Sequence, residues 1–145
     1  MKKILYSILG LTVLMAVMLT ACSPAGGLDA TSWKLESYAD DAGDMMDALP
    51  ESVVSLDFQA TQVSGSAGCN NFNGSYQTTG SKIKFGPLAT TRKMCNEPAG
   101  IMQQETAYLA ALEAAAEYDL RGNRLEIKDD QGEVTLVFVR ATGDS

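Results

Sequence analysis

"SAGCNNFNGSYQ", Ser66 to Gln77, sets two glycines, three asparagines and a cysteine around two aromatics. Its residues read first as architecture. Gly68 and Gly74, with Gly65 just before them, permit positive φ or close backbone approach. Asn70, Asn71 and Asn73 tolerate left-handed backbone and bond their own main chain. Phe72 and Tyr76 can pin the segment onto a core. The expectation is a tight turn between strands, fixed by Cys69.

Working outward, the flanks read mainly as short strands. Trp33, Leu35 and Ser37 alternate with Lys34 and Glu36 in "TSWKLESY", Thr31 to Tyr38, the period of a half-buried strand. Val54, Leu56 and Phe58 share one face of "SVVSLDF". "TQVSGSAG" is a weaker strand broken by glycine, and Ser75 to Thr78 reads as extended. A turn at Thr79-Gly80 leads to "KIKF", Lys82 to Phe85, with one polar face. "GPLATTRKMC" reads as extended after its Gly-Pro break. From Pro98 to about Glu117 the composition turns to Ala, Leu, Gln and Glu, which are strong helix formers. There Ile101, Met102, Thr106, Leu109, Leu112 and Ala116 recur at helical spacing beside Tyr108. Asn96 or Glu97 is the expected cap, with Pro98 in the first turn. Gly122-Asn123 predicts a two-residue hairpin turn, and a last strand carries Val134, Leu136 and Phe138 on one face. Short strands and one helix predict a single α+β, mostly β domain, antiparallel and barrel-like.

The first 21 residues stand apart. Lys2 and Lys3 precede an uncharged run, Ile4 to Thr20, and then Leu19-Thr20-Ala21-Cys22. A basic start, an apolar run and small residues before a cut point describe an export signal, residues 1–21. A cysteine after Leu-Thr-Ala resembles the bacterial lipobox. That resemblance implies cleavage before Cys22 and acylation there, with palmitate among the chains. The rival reading is an uncleaved membrane anchor, since the run lies at the short end of the roughly 17–25 residues that span a bilayer. Ser23 after the cysteine favours, by analogy, the outer membrane facing the periplasm, if the cell has one. Residues 22–30, "CSPAGGLDA", are expected to be a flexible tether, and the domain to run over residues 31–141.

Residues 1–21 hold two cations and no acid, so cleavage leaves nine Lys and Arg against 18 Asp and Glu and moves the formal charge from −7 to −9. Such a surface repels phosphate backbones, so nucleic acid is not an expected partner. With Cys22 acylated, Cys69 and Cys95 remain as a pair in an oxidising compartment, which reads as a disulfide; two buried free thiols are the alternative.

There is no histidine, hence no imidazole base or ligand. Eighteen acids leave a carboxylate pair open by count alone, but none has an apolar setting that would raise its pKa. No enzyme activity and no cofactor are expected. Asp40, Asp41, Asp44 and Asp47, in a segment read as an acidic loop, are the best metal candidates. Their spacing is not that of an EF-hand, so a solvated loop is the preferred reading.

"GCNNFNGSY" (Gly68 to Tyr76), "TTRKMC" (Thr90 to Cys95) and Glu105 together resemble the META domain family, whose members include a heat-inducible bacterial protein and many envelope lipoproteins. The resemblance covers about Thr31 to Arg140. It implies a compact antiparallel barrel-like sheet with one helix packed across it, in which Gly68, Asn70, Phe72, Gly74, Tyr76, Thr91 and Glu105 form a structural motif. It also implies the cell envelope and stress response or secretion, without a defined reaction. Met94 departs from the pattern, where many relatives place a smaller residue before the cysteine. The function expected is that of a monomeric, lipid-anchored domain contacting the membrane through Cys22 and an unidentified envelope protein. The alternative is a carrier holding a hydrophobic small molecule in the barrel.

Overall fold

The structure, a computed structural model, describes residues 27–142. The export signal, Cys22 and most of the expected tether lie outside those residues. The strands are β1 (Thr31–Ala39), β2 (Met45–Asp47), β3 (Ser55–Gln59), β4 (Gln62–Ser66), β5 (Asn71–Thr79), β6 (Lys82–Phe85) and β7 (Ala89–Thr90). The helix α1 (Ile101–Glu113) follows, then β8 (Glu117–Arg121), β9 (Arg124–Lys128) and β10 (Val134–Arg140).

Strand order β10-β9-β8-β6-β5-β4-β3-β1 closes on itself, because β1 also pairs with β10. All these pairings are antiparallel. The result is a closed barrel of eight strands, mostly β, with a single helix among the described residues. Closure pairs Leu35 with Phe138 and Trp33 with Arg140. The alternation of β1 holds: Trp33 and Leu35 are buried and Lys34 and Glu36 exposed. Val54, Leu56 and Phe58 likewise enter the core, as do Ile83 and Phe85. Burying such rings and branched chains supplies about 1.5–3 kcal/mol each before entropy is counted.

The interior is packed with side chains. Trp33, Tyr108, Phe138, Leu56, Leu125 and Ile127 are fully buried inside it. Phe72 and Phe138 meet Tyr108 edge-on, at 5.8 Å and 6.2 Å between ring centres.

Several local expectations need correction. Asn71 to Thr79 is not a turn but the strand β5; only Ala67 to Asn70 turns the chain. Asparagine and glycine are poor strand formers by propensity, but five cross-strand pairs with β4 override that. The acidic loop contains a strand: β2 pairs Met46 with Tyr38. The helix stops at Glu113, because Ala116 and Glu117 are taken up by sheet pairing with Ile83 and Lys82. Its cap is neither Asn96 nor Glu97 but Gly100, at φ 88°, with no side-chain cap bond. Ala116 belongs to that pairing rather than to α1, and Thr106 of the expected helical stripe is exposed. The packed domain includes residues before Thr31: Leu28 is 3% exposed and joins the core, and the Asp29 carboxylate accepts the Ala60 N–H at 2.6 Å. The expected tether therefore loses its last residues to the domain.

Candidate functional site

Gly68, Asn70, Thr91 and Glu105 of the motif meet at one end of the barrel, where the β4–β5 turn meets the first turns of α1; Gly74 and Tyr76 lie further along β5. Glu105, 6% exposed, points its carboxylate into that turn. Oε2 accepts the Cys69 N–H at 3.1 Å and the Asn70 N–H at 2.7 Å. Oε1 accepts from Asn70 Nδ2 at 2.6 Å. The same Asn70 amide donates to the Lys93 carbonyl at 3.1 Å. Its Oδ1 accepts the Lys93 N–H at 2.6 Å and the Thr91 hydroxyl at 2.8 Å. An asparagine side chain offers two donors and two acceptor sites, so all four of Asn70's are used.

This clasp gathers three distant segments: the turn, the helix and the Thr91–Cys95 stretch. The Cys69–Cys95 disulfide lies beside it. Thr91 works on both sides, its Oγ1 also accepting the Asn71 N–H at 3.1 Å. Met94, the departure from the family pattern, is 82% exposed; its bulk faces water, so the bridge forms without having to accommodate it.

The motif glycines are there for space. Gly68 sits at φ 112°, and a Cβ there would come within 2.7 Å of Ile101 Cδ1. At Gly74 a Cβ would lie 2.8 Å from Leu88 Cδ2 and 3.0 Å from the Pro87 carbonyl. Phe72 and Tyr76 are inward residues of β5, buried against Tyr108 and Phe58 respectively.

Sequence reasoning missed a second polar anchor. Gln104 is fully buried. Its Oε1 accepts the Leu49 N–H at 2.7 Å, and its Nε2 donates to Ser52 Oγ at 2.8 Å. It ties the β2–β3 connection to the helix. The signal was present, since 101, 104, 105, 108, 111 and 112 form one helical stripe; two polar members hid it.

Chemically the site is closed. Among the described residues, no buried side-chain nitrogen or oxygen lacks a partner. A groove beside it, lined by Asn71, Asn73, Ala89, Thr90 and Thr91, is open and holds about 230 Å³. That is below the usual 300–1,000 Å³ of a small-molecule pocket. The four aspartates are not assembled as ligands. Asp40 Oδ1 instead accepts the Ala42 and Asp44 N–H groups, both at 2.9 Å. Among the described residues no group of three or more His, Cys, Asp or Glu side chains is placed to hold a metal. No helix among them is long and apolar enough to cross a membrane.

The model of one protein family, the META domain, matches residues 26–142. The chain belongs to the META domain family. Among solved structures, this META domain is similar to the NMR structure of a protein from Burkholderia xenovorans. The two are 33% identical over 80% of this chain and 85% of that one, with a TM-score of 0.64. A second NMR structure is 24% identical over 77% and 89%, with a TM-score of 0.58. The crystal structure of a DUF4847 family protein from Bacteroides vulgatus is 14% identical over 81% and 96%, with a TM-score of 0.57. The last two show a shared fold alone. No curated protein matches the chain.

Proposed function

We propose that this META domain is a lipid-anchored, non-enzymatic domain of the bacterial envelope, held by acyl chains on Cys22 and acting through contact with another envelope protein in stress response or secretion. One observation carries the non-enzymatic part. Asn70 and Glu105 spend their hydrogen bonds inside the fold, so the motif builds the domain and the function belongs to its surface. The packed interior supports contact with a protein over carriage of a ligand, because a guest would have to displace Trp33, Tyr108 or Phe138.

The test is the intact mass of protein extracted gently from membranes, read before and after reduction. The expected mass is that of residues 22–145 plus acyl groups, rising by two hydrogen atoms on reduction. A full-length mass would overturn the anchor, and a small molecule surviving extraction would favour the carrier. Crosslinking in intact cells then addresses the partner; the absence of any repeatable crosslinked protein would count against action by contact.

A further inference from the structure

The two ends of the barrel differ in charge. Antiparallel closure puts the start of β1, the end of β10 and three turns at one end, opposite the clasp. Asp29 bonds Ala60 in the β3–β4 turn. The Tyr118 N–H bonds Ser81 in the β5–β6 turn, and the Arg140 N–H bonds Asn123 in the β8–β9 turn. Those turns read Gln59-Ala60-Thr61-Gln62, Thr79-Gly80-Ser81 and Gly122-Asn123, all exposed and without one carboxylate. Lys82, Arg121 and Arg124 flank them, paired with Glu117, Asp119 and Glu126. The opposite end carries Asp40, Asp41, Asp44, Asp129, Asp130 and Glu133, of which Asp40 and Asp129 are half-buried and the rest exposed.

In a chain with 18 acids, an end whose turns carry no carboxylate, with Asp29 bonded to Ala60 beside them, is a distinct surface, and the chain leaves the domain there. Leu28, which is buried, lies only six positions after Cys22, a stretch that fully extended reaches about 20 Å. A nine-residue strand such as β5 separates the two ends by roughly 20–30 Å once tilt is allowed for. Turning the far end to the bilayer would stretch so brief a tether to its limit or past it, which disfavours that pose. Of the poses left, standing on the neutral turns keeps the acidic end furthest from anionic headgroups, whose field fades over about 8–10 Å.

We propose that the turn end, residues 59–62, 79–81 and 122–123, docks on the lipid headgroups and that the acidic end, with the clasp and helix, faces away from the membrane. This rests on the lipid-anchored reading.

The test uses the full protein expressed in a bacterial envelope, purified in detergent, its mass checked, and reconstituted into phosphatidylethanolamine–phosphatidylglycerol vesicles carrying a headgroup-attached energy acceptor. Donor dye is placed on Ser81→Cys, Asn123→Cys, Asp41→Cys or Asp130→Cys, one at a time. Transfer from 81 and 123 is expected to exceed that from 41 and 130 by at least about twofold, given an end-to-end span of roughly 20–30 Å. Adding Gln59→Glu and Thr79→Glu to the Asn123→Cys chain should lower its transfer without changing its thermal unfolding. Acylated protein with equal transfer from both ends overturns the docking alone. Protein without acyl groups on Cys22 overturns the anchor and the docking with it.

Discussion

Asn70 and Glu105 form the smallest unit on which the domain depends. Replacing Glu105 with Ala leaves the Cys69 and Asn70 N–H groups without acceptors in a buried turn. At about 1–3 kcal/mol for each unsatisfied buried group, the expected loss is about 3 kcal/mol. Asn70→Ala should cost a similar amount, and the double variant clearly less than the sum, because both belong to one network. Urea denaturation of the four proteins measures this; additive losses would show that the clasp is not cooperative. Tyr108 gives a pH signature. Burial, with the Asp57 carboxylate adding to it, pushes its phenol well above the ordinary value near 10. The folded protein then holds a proton that the unfolded chain releases near pH 10. The stability from that proton is present below about pH 10 and is lost as pH rises above it. Tyr108→Phe should flatten the alkaline fall while costing about 1 kcal/mol at neutral pH for the bond to the Ser55 carbonyl. Tyr38 and Tyr76 are raised as well, chiefly by burial, so some alkaline slope should remain. An unchanged slope in Tyr108→Phe would mean that Tyr108 is not the group responsible.

At the scale of elements, α1 acts as a clamp as much as a layer. Gln104→Leu keeps the volume but strips Leu49 and Ser52 of their partner. Amide hydrogen exchange of Met46 and Ala48 should then quicken by about tenfold or more, corresponding to about 1.4 kcal/mol of local stability, with β9 and β10 unaffected. Uniform acceleration would mean that the clamp supports the whole barrel. The Cys69–Cys95 bridge closes 27 residues counting both ends. Replacing both cysteines with Ala should cost at most about 3–4 kcal/mol in urea, and less if the Asn70 clasp still holds the Lys93 backbone in the unbridged protein. No measurable loss would make the bridge redundant with the clasp. Legibility differed between elements for physical reasons. The alternation of β1 and the Gly122-Asn123 hairpin were readable because one face meets the core and the turn chemistry is local. β2 was not, because Met45 and Met46 pair by backbone with β1 and bury nothing of their own. The start of α1 was misread because its cap is a left-handed glycine, Gly100, rather than a polar side chain. The clasp was half readable: its residue types stood out, but that Asn70 and Glu105 face each other across 35 positions is a tertiary fact.

For the molecule as a whole, the barrel is sealed by its first and last strands. β1 and β10 pair from Trp33–Arg140 to Tyr38–Leu136, about a hundred residues apart in the chain. A chain cut after Glu133 should leave Trp33 wet, with red-shifted fluorescence and no cooperative unfolding; a native-like spectrum would mean that closure is not needed. That seam also governs timing. Non-local pairing is slow, since the loop entropy is spent before the contacts are made. A chain synthesised from its N-terminus presents β1 long before its partner exists, so the nascent polypeptide cannot lock itself into shape early. Were the chain exported as proposed above, that delay would keep the thread pliable while it crosses the membrane. The seam that holds the finished barrel shut is also what keeps the growing chain open until its last strand is made.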